Sequence, residues 1–495
     1  MPQYLTPGVY IEEIEIGAKP IEGVSTNVAG FLGSTERGPV EPFFVTSFDQ
    51  FKKLYGGYIK DSYLAYSIEG YFRNGGASCF VARIASKTSI QSSVPVPSNP
   101  GGANAFQIDA IGPGKWGDGL KATIAASTIH GDDLSFFKLK LSYDKAIVEE
   151  YDNLSVSSES TDFFEKRING ISNFVTVAKL TASNPLLGEH SLGGGKDGDA
   201  INAEDYSGRE LTIGENGTGR YTGLMGFDRI SEISLICAPD ENNVTGLSGK
   251  LIDHCNTHKD RFAILQAGDG KVDINKLNPS EPRSKYAAFY YPWIQILDPV
   301  TNMPKYVPPC GHVAGIYSRT DVERGVHKAP ANAPVSGALG LMFNVVDEEQ
   351  AILNPKGVNC IRSFLGRGIL VWGARTTSLD SSWKYINVSR LFIFVEKSIK
   401  EGIRWAVFEP NNEKLWSRVK QTVDQFLTAV WRTGALMGTT ADQAFFVRCD
   451  RTTMTQDDID NGRLVVLVGI APTKPAEFVV FRIAQVAKGS DITEA

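Results

Sequence analysis

In "DHCNTH" the chain places His254 and His258 four residues apart, on one face of a helix, with Cys255 between them. Zinc takes that spacing but needs further ligands, and no third stands at a recognisable distance. The pair therefore reads as a solvated helix end near a sheet. The glycine loop "GEHSLGGGKDG" invites a phosphate, yet a phosphate-binding loop follows a strand and sets Ser or Thr after its lysine. Here Asp197 follows Lys196, and its charge opposes the ligand. Asp197 and Asp199 lack the spacing of a calcium loop. A serine nucleophile needs a strained turn, a base and an orienting acid. "GLSGK" only approximates that turn, and none of the six histidines stands where a base belongs. The thiols lie in apolar runs such as "SLICAP", where a thiolate is disfavoured. The aromatic run "FYYPW" reads as strand interior. The residues predict no enzyme, no cofactor and no metal.

The 495 residues are 42% hydrophobic and 21% charged, with a net charge of −6. That length predicts about two to four domains. The acidic balance, with no basic stripe, gives no electrostatic footprint for nucleic acid. The N-terminus has no charged and apolar leader, and no apolar run approaches a bilayer span, so no membrane insertion is expected. Six scattered cysteines without a CxxC read as reduced core thiols, as in a cytoplasmic protein.

The elements follow from punctuation and periodicity. Residues 1–24 read as an arm with a strand over Val9–Ile16. Residues 25–95 and 226–375 read as α/β. They contain the strand "NVAGFLGS", a helix started by Ser47 or Asp49 and stopped at Gly56-Gly57, and a helix over "SYLAYSIEGYFRNGG". Later come a helix from Gly246 to Lys259 and the long apolar strand "SKYAAFYYPWIQIL". Residues 96–225 are dense in Pro, Gly and Ser with short alternating strands, an inserted and mostly antiparallel β module. Residues 376–475 read as α+β, with helices over 389–400 and 412–432. A short helix over "TQDDIDNG" is capped by Thr455, with Asp457 and Asp458 favouring its dipole. Two apolar strands, "RLVVLVGI" and "AEFVVFRIAQVA", close the chain. Both faces of the last are apolar, so it must be covered on both. Its residues 476–495 form a C-terminal arm.

Both chain ends thus carry a strand. Either the two pair within one subunit, or strands are exchanged between subunits through main-chain hydrogen bonds. Here the chain resembles the contractile tail sheath proteins of tailed phages and phage-tail-like injection machines. The stretches that carry the likeness run in family order along nearly the whole chain: "YLTPGVYIEEI", "GVSTNVAGFLGSTERGPV", "YFRNGGASCFVARI", "GPGKWGDGLKATI", "NVSRLFIFVEKSIKEGIRWAVFEPNNEKLW" and "NGRLVVLVGIAPTKPAEFVVFRI".

The resemblance implies hexameric rings stacked helically around an inner tube. It also implies a subtilisin-like middle layer without the protease's active site and an inner layer made by the C-terminal domain and N-terminal arm. Terminal arms add strands to neighbouring subunits. Carried onto this chain, the exchanged residues are Val9, Tyr10, Ile11, Glu12, Glu13, Ile14 and Ile16 at one end. At the other they are Phe478, Val479, Val480, Phe481, Arg482 and Ile483. Asp457, Asp458 and Asp460 are the candidate contact with the tube. Implied partners are further copies of the chain, the inner tube protein, and baseplate and terminator or cap proteins. Assembly is expected in the cytoplasm. A non-contractile coat protein and a subtilisin-like hydrolase are the competing classes.

Overall fold

The computed structural model describes residues 20–131, 133–211, 219–270 and 273–480. Its centre is a nine-stranded sheet. Six neighbouring strands run parallel in the order Val358–Phe364, Ala287–Tyr291, Phe262–Gln266, Leu235–Cys237, Ala29–Gly33, Cys79–Arg83. Phe43–Val45 closes one edge antiparallel; Gly368–Val371 and Ala333–Pro334 close the other. Apart from Gln266, whose side-chain amide donates to the Ala238 and Pro239 carbonyls, the inner parallel strands are apolar, and they are fully buried, as helices on both faces require.

The helices Leu64–Arg73 and Cys310–Arg324 lie against each other over this sheet. Glycines permit their approach. A Cβ on Gly311 would stand 2.1 Å from the Ser67 carbonyl oxygen, and one on Gly315 would stand 2.4 Å from that of Tyr71.

The inserted module holds a four-stranded and a three-stranded antiparallel sheet around its own core, which includes Phe106, Phe137, Leu139 and Phe164. Along Phe136–Tyr143 the alternation is plain: Phe137, Leu139 and Leu141 point inward, while Lys138 outside pairs with Glu150 and Asp152.

In the C-terminal region, helices Ile386–Gly402 and Glu413–Arg432 share a core with the strand pair Phe445–Arg448 and Leu467–Ile470. Leu415, Trp416, Val419, Val423, Phe426, Leu427 and Val430 are buried at helical spacing, and Asn412 caps that helix through the amides of Lys414 and Leu415. Ile21, within the arm expected over residues 1–24, is buried in this same core, and the Val24 amide donates to Ser398 Oγ at 3.1 Å.

Three expectations change. "SKYAAFYYPWIQIL" is not one strand. Ala287–Tyr291 belongs to the central sheet, and beyond Pro292 the strand Ile294–Leu297 joins a separate three-stranded sheet. Proline brings no N–H to a ladder, so the run cannot continue through it. "RLVVLVGI" shortens to Leu467–Ile470, because its partner strand Phe445–Arg448 ends opposite Leu467; Arg463 before it meets Asp457 and Asp458. The helix expected over 389–400 runs from Ile386 to Gly402. All six cysteines are buried free thiols. Among the described residues no helix is long and apolar enough to cross a membrane.

Candidate functional site

The histidine pair acquires a third group that spacing did not reveal. Asp228, at the end of the short helix Gly223–Phe227, accepts from His258 Nε2 at 2.9 Å and lies 3.6 Å from His254 Nδ1. The three side chains have the makings of a metal cluster. Arg261 opposes it. Its buried guanidinium faces His254 Nε2 at 3.2 Å and can only donate, so that nitrogen must be bare and the proton must sit on Nδ1. A metal at Nδ1 would move that proton to face the guanidinium, whereas ligating histidines aim their second N–H at an acceptor. Burial, with Arg261 adding to it, holds the His254 imidazole down at about 3.

The glycine loop turns inward as well. The Gly195 amide donates to Asp118 at 2.9 Å, and Asp197 accepts from the Lys115 amide at 2.8 Å. These donors serve the protein's own carboxylates.

In an open α/β sheet, ligands bind where the strand order reverses, beyond the carboxyl ends of the strands. That point lies between Ala29–Gly33 and Leu235–Cys237. The start of the Leu64–Arg73 helix fills it. Asp240 accepts from Ser62 Oγ at 2.7 Å and from the Tyr63 amide at 2.8 Å. Burial raises the Asp240 carboxyl, while these two bonds pull it back.

The chain end presents a different chemistry. Phe445–Arg448 and Leu467–Ile470 form a two-stranded sheet, and among the described residues no third strand lies beside Phe445–Arg448. Phe446 and Leu467 on it are half exposed. Two strands are marginal alone, and an open edge is a template for another strand. Phe478, Val479 and Val480 are 71%, 72% and 78% exposed and lie outside any strand. The expected cover on both faces of this run is therefore absent among the described residues of the same subunit. Val9–Ile16 and Phe481, Arg482 and Ile483 fall outside the described residues.

The acidic helix forms as read, over Gln456–Asp460, with a reciprocal capping box between Thr455 and Asp458. Its three acids differ in role. Asp458 closes the cap and meets Arg463, Asp457 pairs with Arg463 at 3.0 Å, and Asp460 accepts from Gln456. Only Asp457 and Asp460 are spare enough to meet a partner without undoing the helix start.

Residues 214–377 match the phage tail sheath protein central domain, and residues 378–485 match the phage tail sheath C-terminal domain. Together the matches span more than half of the chain. The chain belongs to the phage tail sheath family.

Relatives of this sheath protein include the tail sheath protein of Vibrio phage KVP40, 26% identical over 46% of this chain and 33% of that one. That of Enterobacteria phage T4 is 24% identical over 54% and 39%. The chain thus spans about a third to two-fifths of the length of these two relatives. It shares its mixed α/β, multidomain fold with the anti-feeding prophage helical sheath in the contracted state. Identity there is 26%, coverage 97% and 99% of the two chains, and the TM-score 0.60. A sheath tail protein from Listeria innocua has this fold at 12% identity, with coverage of 92% and 96% and a TM-score of 0.62.

Proposed function

We propose that this chain is the repeating subunit of a contractile sheath. Its hexameric rings stack around a rigid inner tube, are knitted by terminal strands exchanged between subunits, and pass from a long metastable lattice to a short stable one. One observation carries the reading: an open two-stranded sheet and an apolar chain end that the described part of the subunit leaves uncovered. A strand that pairs between copies satisfies both, and main-chain hydrogen bonds then link the lattice. Membership of the sheath family, and the likeness to a sheath in its contracted state, support it.

The energy is stored at assembly, when the tube holds subunits in the extended lattice, and release repacks near-rigid bodies about their interfaces. No nucleotide is required of the subunit. The six parallel strands with helices on both faces fit a subtilisin-like middle layer whose crevice is plugged by Ser62–Leu64. Partners are other copies, the inner tube protein, a baseplate at one end and a terminator at the other, with assembly in the cytoplasm.

The test is negative-stain electron microscopy of the protein expressed alone and with its tube protein. Hollow helical tubes in two lattices, shorter and wider without the tube, are expected. A single lattice in both samples indicates a static coat, and a monodisperse monomer in both overturns the reading.

A further inference from the structure

Just before the exposed run Phe478–Val480 stands Glu477, whose surroundings are the reverse of its neighbours'. Its side chain is 18% exposed and that of its partner Arg375 is 10% exposed. Glu477 Oε1 accepts from Arg375 Nε at 2.7 Å and Asn354 Nδ2 at 2.9 Å. Oε2 accepts from Arg375 Nη2 at 2.7 Å and the Tyr385 hydroxyl at 3.1 Å, with Lys384 Nζ 3.6 Å away. A chain end packed on its own subunit buries its apolar side chains and leaves its acids in water. Here the acid is held and the apolar residues are free.

Behind the carboxylate the bonds continue inward. Arg375 Nη1 donates to the Asn354 carbonyl at 2.9 Å. The Arg375 amide donates to Asn359 Oδ1 at 2.7 Å, and its carbonyl accepts from Asn359 Nδ2 at 2.7 Å. Asn359 is fully buried in strand Val358–Phe364 and also reaches the Phe289 carbonyl on the adjacent strand.

We propose that Glu477 is a pin: it fixes where and in which direction the C-terminal arm leaves the subunit. It thereby couples that arm, through Arg375 and Asn359, to the nine-stranded sheet. The proposal rests on the sheath reading above and adds a positioning residue to it. A bidentate Arg–carboxylate pair suits the task because it sets orientation as well as position. Although burial raises its carboxyl, the bonds from Arg375, Asn354 and Tyr385 hold Glu477 down at about 2, so the pin is closed across the neutral range.

The experiment compares tube yield and length by electron microscopy and sedimentation for wild type, Glu477→Ala, the reversal Arg375→Glu with Glu477→Arg, and a chain ending at residue 477. A further variant carries a Gly-Ser-Gly-Ser insertion after Glu477. Subunit melting is followed in each. Glu477→Ala takes the carboxylate from Arg375 and is expected to lower subunit melting, and to lose assembly by roughly tenfold, the scale of one strong contact; the insertion variant, which keeps the pair, should melt near wild type. The double reversal should assemble better than Arg375→Glu or Glu477→Arg alone, each made beside it. The insertion leaves the pin closed but frees the arm's direction, and should assemble as poorly as Glu477→Ala. Wild-type tubes from Glu477→Ala or from the insertion variant overturn the pin. If the truncated chain also forms normal tubes, the strand-exchange reading has failed. If the truncation abolishes tubes while Glu477→Ala and the insertion do not, the pin alone has failed.

Discussion

Arg390 and Asp321 form a two-bond ion pair almost sealed from solvent: Nη1 to Oδ1 at 2.9 Å and Nη2 to Oδ2 at 2.5 Å, the side chains 3% and 5% exposed. Asp321 lies on the Cys310–Arg324 helix of the α/β body and Arg390 on the Ile386–Gly402 helix of the C-terminal region. Thr26 joins them, its hydroxyl donating to Asp321 at 2.6 Å and its carbonyl accepting from Arg390 at 2.8 Å. One pair therefore ties together the Cys310–Arg324 helix, the C-terminal helices and the segment at Thr26 that leads into strand Ala29–Gly33.

Breaking it from one side leaves a buried charge without its partner. Asp321→Ala or Arg390→Ala is predicted to cost about 3–5 kcal/mol, measured by urea unfolding. Replacing both with apolar residues of similar volume should cost less than either alone. Equal losses in all three variants would mean that the charges are better solvated than the geometry indicates.

Gly315 gives a second test of packing, between two helices of the α/β body. A methyl there meets the Tyr71 carbonyl, which is backbone and cannot swing away. Gly315→Ala should destabilise by about 1–3 kcal/mol despite alanine's better helix propensity. A stabilised variant would show that the two helices can separate at little cost.

Glu241 predicts a pH dependence. Burial pushes its carboxyl up to about 8, against the pull of the Gln266 amide that donates to Oε1 at 2.7 Å. Oε2 is buried without a partner among the described residues, and a proton on it removes an unpaired charge. The folded value lies above the ordinary 4.5, so the contribution to stability is complete below about 4.5 and is lost as pH rises toward 8. Each unit of separation is worth about 1.4 kcal/mol. Glu241→Gln should melt above wild type at pH 8, with an advantage that shrinks as pH falls toward 5. A constant difference across that range would show that the carboxyl does not titrate there.

The legible features were local ones. Ser47 caps its helix by accepting from the Gln50 amide, and Gly56 ends it. The Thr455–Asp458 box and the apolar stripe of Glu413–Arg432 are likewise written at one or a few residues' spacing. What stayed hidden was joined across the chain. Asp228 meets a histidine pair on a different helix, Ser62 is held by Asp240, and Glu477 finds Arg375. No periodicity records such pairs, because each becomes adjacent only when sheet order and helix packing are set. The run "SKYAAFYYPWIQIL" misled because apolar composition is shared by both of its strands, and only Pro292 marks the boundary.

The acidic helix separates structure from contact. Asp457→Asn with Asp460→Asn should leave subunit melting unchanged and weaken binding to the tube protein, most clearly at low salt. Asp458→Asn should instead loosen the helix start, since its carboxylate closes the cap. Co-sedimentation with tubes would decide it: binding unaffected by the double variant removes these acids from the tube contact.

Val480 distinguishes cover within a subunit from cover between subunits. It is exposed in the single chain, so Val480→Asp should leave melting of the subunit within about 0.5 kcal/mol of wild type. The same variant should prevent long tubes, because an aspartate there would be buried at the contact with the next copy. A large loss of subunit stability would mean that the segment folds back on its own chain.

The most direct test of strand exchange is a helical reconstruction by electron cryo-microscopy of tubes assembled from the full chain, traced through both ends. A third strand beside Phe445–Arg448, contributed by a different subunit and continuous with Phe478–Val480 or with the N-terminal arm of that subunit, is the predicted result. Tubes in which both ends return to their own subunit, leaving that strand edge unpaired, would contradict it.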